Sequence, residues 1–382
     1  HLLLGELLAA RGKHAEAAGY YRKAVSIDSL YYKPLFFSLA NSEMQSGDYQ
    51  RALIHYNVYL GLKTGNEKNA AAARRNILNC EFAIEAMKNP VPFSPQSLGD
   101  QVNTSHDEYW PSITADGQTL MFTRQEVIRS TGKRGHEDFF VSRLADNTWQ
   151  TAVNAGAPLN TPQNEGAQSI SSDGSYMYFT ACDKREGLGR CDIWYSSFDG
   201  SRWSEARNPG SPVNTAFWES QPSISSNGRM LFFTSNRPGG EGGMDIWYSI
   251  IGRDNKWKEP ANAGSAINTS GDEMSPFIHF DGRTLYFSSN GRAGMGGFDI
   301  YFSRMNDDTT FTEVKNIGYP INTVSDELGL IIDAEGANAY FSTTRVPGKG
   351  KDIFFFNLYE AARPDPVSYF RATVLDSETL KP

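Results

Sequence analysis

What this 382-residue chain lacks narrows its function before any motif is read. No apolar run approaches the roughly 18–20 residues that a membrane-crossing helix needs. Basic residues are the minority, 36 Lys and Arg against 44 Asp and Glu. The net charge of −8 argues against a nucleic-acid partner, which calls for a basic face. Cysteine is scarce, at three, and no paired C-x-x-C or H-E-x-x-H is present to hold zinc. G-x-S-x-G is missing too, which removes the serine nucleophile elbow. With 21% charged and 39% hydrophobic residues the chain is globular, and its length suits two or three domains. What it has in plenty is glycine, 35 residues, and aromatic side chains, 13%. Together they point to many short strands and tight turns. The chain opens on His1 and not on Met, so a signal or lipid anchor is expected upstream.

Residues 1–89 carry a helical period. After Gly12 come Ala17, Tyr21 and Ala24; after Gly47 come Ala52, Tyr56 and Tyr59. The two glycines stand 35 apart. Small residues let paired helices approach, and aromatics fill the space between pairs. The pattern resembles two tetratricopeptide repeats, with Ser29 and Thr64 where the repeat's final proline usually stands. A third helix over about 67–88 is expected to cap the stack, and further repeats are expected upstream.

From about residue 90 the period changes. Asn103, Asn160, Asn214, Asn268 and Asn322 each open an N-T pair, at spacings of 57, 54, 54 and 54. Gly117, Gly174, Gly228, Gly282 and Gly336 repeat the same spacings. Asp138, Asp192, Asp245, Asp299 and Asp352 keep the same phase. Each unit reads N-T-x-x-x-E, an apolar strand, a D-G or N-G type turn, an aromatic strand such as "MLFFTS", a glycine loop and "DIWYS". About four strands per unit, five times, predicts a five-bladed β-propeller over 90–363. The fifth unit lacks a fourth strand, so residues 91–98 are expected to close the last blade and remove its exposed edge.

The units resemble the WD40-like, TolB-type propeller repeat, most closely in "SNRPGGEGGMDI" and "SNGRAGMGGFDI". The tail 364–382 ("VSYFRATVLDSETLKP" at its end) is similar to the opening of a carboxypeptidase-regulatory-like sandwich. The order of tetratricopeptide repeats, propeller and sandwich resembles the PorE family of the Bacteroidetes type IX secretion machinery. That resemblance implies a periplasmic, outer-membrane-associated lipoprotein whose partners are other secretion-system proteins. It also implies a tether to peptidoglycan through a C-terminal OmpA-like domain outside this chain.

Candidate site residues follow from the repeat. Glu108, Glu165, Glu219, Glu273 and Glu327 each stand five residues after the repeat Asn. They are expected to ring the mouth of the central channel. Such a ring holds a cation or a basic segment; alternatively each Glu accepts hydrogen bonds within the blade packing. The glycine loops are read as turns in which glycine supplies positive φ. A phosphate loop is excluded because no Lys-Ser/Thr follows and the next element is a strand. The aspartate after each loop is read as a hairpin anchor. Arg237, Arg292 and Arg345, with Lys184, share the face of the glutamates and make it the expected binding face. Cys182 and Cys191 flank one hairpin loop and are expected to form a disulfide in an oxidising compartment; Cys80 is read as a buried small hydrophobe. None of the six histidines recurs from unit to unit.

These readings converge on a non-enzymatic scaffold with no catalytic residue, no cofactor and no metal. The alternative is a glycan-binding or glycoside-hydrolysing propeller. For it, Trp110 and Trp218 are the candidate stacking residues. Trp149, Trp203 and Trp257 recur at one blade position, and Trp194 and Trp247 at another, which is core spacing.

Overall fold

A computed structural model describes residues 1–29, 32–128, 133–344 and 350–368. Five helices open the chain: α1 (Leu2–Ala10), α2 (His14–Ile27), α3 (Leu35–Gln45), α4 (Tyr49–Gly61) and α5 (Glu67–Lys88). Gly12 and Gly47 end α1 and α3 with φ of 73° and 81°, a conformation costly for any residue with a Cβ. Asp48 and Asn66 cap α4 and α5 through their side chains. Ala17, Ala40, Ala52 and Ala83 are fully buried, so neighbouring helices meet closely, and Tyr56 and Tyr59 fill the remaining space. Cys80 lies in the same core.

An all-β five-bladed propeller follows. In the third blade, Glu219–Ile224, Met230–Ser235, Asp245–Ile250 and Ala261–Asn262 pair in that order, all antiparallel. The fourth blade repeats this from Glu273 to Asn316. In the second blade three strands form the sheet, and the outer edge makes single bridges, Tyr195 with Arg207 and Phe198 with Trp203. The last blade takes its outer strand, Gln96–Ser97, from ahead of the ring, paired with Asp352–Asn357. Phe93 packs edge-on against Phe356, 4.9 Å between ring centroids, and seals that join.

The repeat asparagine explains how blades hold one another. Asn214 Oδ1 accepts from Ile193 N at 2.9 Å while its Nδ2 donates to Ile193 O at 2.8 Å. Asn268 does the same to Ile246, and Asn322 to Ile300. Asn103 closes the ring by clamping Ile353, 250 residues away. Each clamp binds one blade's third strand to the next blade's entry. The innermost strands of the first four blades carry a left-handed residue at one position, Trp110, Ala167, Gln221 and Ser275, and Gly329 holds that position just ahead of the last blade's inner strand, all at φ of 51–72°. Four of the five are not glycine, so this bulge is held against its backbone cost by the ring.

The helices pack on the propeller. Met295, at the tip of the fourth blade's glycine loop, is 1% exposed and belongs to the same cluster as Tyr56 and Cys80. Tyr49 Oη donates to Met295 O at 2.8 Å, and Gly294 N donates to Asn79 Oδ1 at 3.2 Å. Val91 N donates to Tyr319 O at 2.7 Å where the chain passes from helix to ring. Burying one Met side chain is worth about 1.5–3 kcal/mol, so this contact alone is substantial. Of the tail read as the start of a sandwich, 364–368 are described and 369–382 lie outside the described residues.

Candidate functional site

The five repeat glutamates do not ring the channel. Four are fully buried and Glu327 is 7% exposed. None lines the channel, which is formed by the bulged inner strands and encloses about 50 Å³. Each carboxylate turns back into its own blade instead. Glu219 accepts from Thr215 N at 2.8 Å and Thr215 Oγ1 at 2.7 Å; Glu273 accepts likewise from Thr269, and Glu327 from Thr323. The Thr of the N-T pair is therefore the carboxylate's cap, while the Asn reaches back to the preceding blade. A buried carboxylate must be hydrogen-bonded or paired, and this pattern satisfies it locally.

Cations complete that cage in three blades: Lys184 and Arg237, expected on the binding face, and Arg124, which the sequence did not single out. Arg124 Nε lies 2.7 Å from Glu108, Lys184 Nζ 3.2 Å from Glu165 and Arg237 Nη2 3.1 Å from Glu219. Each then lies over an aromatic ring of its own blade: Arg124 over Phe140 at 4.0 Å, Lys184 over Trp194 at 5.1 Å, Arg237 over Phe233 at 4.9 Å. Arg292 lies over Tyr301 at 6.0 Å and donates to Ile267 O at 3.0 Å. Arg345 lies outside the described residues. Burial pushes the Glu108 and Glu273 carboxyls upward, opposed by their Thr donors and the neighbouring arginines. The expectation that Arg237 and Arg292 face a partner is thus corrected: Arg237 is buried and paired with Glu219, and Arg292 is half-buried with its guanidinium donating to the Ala266 and Ile267 carbonyls.

The glycine loop is also corrected in its cause. Within "RPGGEGGMD" the one positive φ is at Gly239, 93°, and in the matching loop of the fourth blade there is none. The other glycines are needed for close approach. A Cβ on Gly240 would stand 1.7 Å from Asp245 Oδ2, and one on Gly242 2.2 Å from Gly271 O. Asp245 and Asp299 accept loop amides, from Glu241 N at 2.6 Å and Met295 N at 2.8 Å. A second aspartate, from the next blade, pins each loop from outside. Asp272 accepts from Met244 N, Asp326 from Phe298 N and Asp107 from Lys351 N, all at 2.9 Å. Asn164 serves the first blade at 3.2 Å. At the corresponding position of the third blade stands Trp218, which has no carboxylate to offer. The loop it would have pinned is the one that carries the Cys182–Cys191 disulfide.

That disulfide loop borders the part of the face left open. Leu188 is 46% and Phe217 44% exposed, on loops of the second and third blades that meet where Gly189 abuts the Phe217 carbonyl. The fourth blade's share of the face is covered by the helices through Met295. Among the described residues no helix is long and apolar enough to cross a membrane, and no cluster of three His, Cys, Asp or Glu stands ready for a metal.

No protein-family model matches the chain, and neither does any curated protein. Solved structures do. The propeller resembles that of TolB. TolB from Acinetobacter baumannii matches over 66% of this chain and 54% of its own, with 16% identity and a TM-score of 0.40. An alpha-L-arabinofuranosidase from Lactobacillus brevis matches over 71% and 97%, with 12% identity and a TM-score of 0.43. An endo-arabinase from Bacteroides thetaiotaomicron matches over 68% and 97%, at 13% and 0.46. These likenesses are of fold.

A large cavity lies elsewhere, between the second and third blades on the turn face, bounded by Tyr176, Tyr178, Tyr195 and Trp257. Trp257, at the blade position it shares with Trp149 and Trp203, packs against the core as that recurrence implies and also lines this cavity. The legible signal was the cluster of three tyrosines in one blade.

Proposed function

We propose that this chain is a non-enzymatic adaptor that holds partner proteins. The observation that carries the reading is the docking of the helical repeats on the fourth-blade loop through Met295, Tyr49 and Asn79. Two modules suited to gripping other proteins are thereby joined into one packed unit. The locked glutamates support the same reading. Glycoside hydrolysis needs two carboxylates facing the scissile bond, one as acid and one as base or nucleophile. The recurrent carboxylates here are each capped by the Thr of their own blade, and Glu108, Glu165 and Glu219 are also paired with a cation of that blade. The open face of the second and third blades, with Leu188 and Phe217, is the partner surface.

The finer assignment is to the periplasmic side of the outer-membrane type IX secretion machinery, with a peptidoglycan tether outside this chain. Repeat order and type support it, and the Cys182–Cys191 disulfide is consistent with an extracytoplasmic location. The test is affinity capture of the full-length protein from outer-membrane extract. Recovery of secretion components supports the adaptor. Turnover of a glycan that is lost in Glu219→Gln or Glu273→Gln overturns it.

A further inference from the structure

We infer that the cleft between the second and third blades is a binding site for a carboxylate-bearing saccharide. The cleft holds about 970 Å³, at the upper end of the range for ligand sites. It lies on the turn face, away from the helices and from the Leu188 and Phe217 surface.

The cleft is open for a local reason. At the next cleft round the ring, between the third and fourth blades, Tyr248 Oη and Thr309 Oγ1 stand 2.9 Å apart and latch the blades together. Phe311 closes edge-on against Phe232 beside them. At the second cleft Trp257 closes on Tyr178 in the same way, 6.2 Å between centroids at 82°. The latch is missing there. Tyr195 occupies the position of Tyr248, and Asn255 that of Thr309, but no hydrogen bond joins them among the described residues. Strand register places Tyr178 beside Tyr195, 5.7 Å between rings, and Tyr176 two residues along on the same face.

The wall that results has the chemistry of sugar recognition. Tyr176, 46% exposed, and Trp257 offer flat apolar faces. The hydroxyls of Tyr176, Tyr178 and Tyr195 have no hydrogen-bond partner among the described residues, so they are available to ligand hydroxyls. Arg207 and Lys256 also line the cleft and carry no salt bridge among the described residues. The acid of the lining, Asp173, is already engaged by Ser171 and Ser175 through one oxygen and sits below the usual carboxylate range because of those donors, against its burial. On a chain of net charge −8, two unpaired cations beside three free phenols select an anionic ligand. A proline-rich peptide would use the aromatic faces, and its carbonyls would accept from the hydroxyls, but it brings no anion for the two cations.

The test is titration of the whole chain, followed by calorimetry and tryptophan fluorescence. The probes are a galacturonate trisaccharide, an N-acetylmuramic-acid disaccharide, neutral cellotetraose and a polyproline peptide. Binding of either acidic sugar, weakened by salt and at least about tenfold tighter than cellotetraose, supports the site; which of the two binds identifies the source. Arg207→Ala with Lys256→Ala should weaken it about tenfold, and so should Tyr176→Ala, whose exposed ring can go without unfolding the blade. Trp257→Ala should do the same and is read only if its melting curve stays cooperative. Equal affinity for cellotetraose overturns the charge argument, and preference for the peptide or no binding at all overturns the site.

Discussion

Arg237→Ala tests the reading that the repeat cations are internal. Arg237 is 8% exposed, with Nη2 3.1 Å from Glu219, and it also donates to Pro212 O and Val213 O. Truncation removes those bonds, empties the space over Phe233 and Trp247, and leaves a fully buried carboxylate with neutral donors only. Breaking one side of a buried pair costs about 3–5 kcal/mol. At about 2–4 °C per kcal/mol for domains of 150–250 residues, Tm should fall by at least about 6 °C. Glu219→Gln in the same background should restore part of the loss, because the stranded charge is gone; the double-mutant cycle then reads coupling above about 1 kcal/mol. The assay is thermal unfolding followed by circular dichroism. A shift within about 1 °C would refute the argument, since an exposed ion pair contributes about 0–1 kcal/mol.

Other consequences are as direct. In non-reduced protein one thiol should titrate after unfolding, that of Cys80; in the folded state it should react slowly at neutral pH, because burial pushes it up to about 12. Replacing Cys182 and Cys191 by serine should cost about 2.5 kcal/mol, from the loop entropy for a separation of 9, measured by urea unfolding. Asp299 is pushed up to about 8, first by burial and then by Glu327. Its folded value lies above its ordinary 3.8, so folding takes up a proton between about pH 4 and pH 8 and stability falls as pH rises through that window. Asp299→Asn should abolish that component, so Tm of wild type minus variant should drop from pH 5 to pH 8; a flat difference counts against it. Met295→Asp should free the helices, which would appear as new protease cleavage near residues 89–95 with the propeller's own melting intact.

Legibility in the sequence followed the repeat. Asn103 to Asn322 and Glu108 to Glu327 stand in phase because each blade solves the same two problems, binding its predecessor and satisfying a buried carboxylate. Periodicity reveals such residues but not which way they point, and the expected acid ring was drawn from position alone. The glycine loops kept their phase for a different reason from the one expected. Gly240 and Gly242 are set by contact with Asp245 and the next blade's backbone, and contact is invisible until the ring closes. What breaks the repeat carried the non-repeating structure. Met295 stands where the third blade has Glu241, an apolar residue at a loop tip, and it marks the helix contact. Trp218 stands where its neighbours have Asp or Asn, beside the disulfide. Asn255 in place of Thr309 opens a cleft, which becomes visible only when two blades are set side by side.

The adaptor claim is tested most directly by a photo-crosslinking residue at Phe217 in the full-length protein in cells, with Tyr176 on the opposite face as control. The account predicts a discrete cross-link from Phe217 to an outer-membrane secretion protein, absent at Tyr176 and lost when Leu188 is changed to Asp. Cross-linking that is the same from both faces, or absent at Phe217 while the protein is captured in a secretion complex, would contradict it.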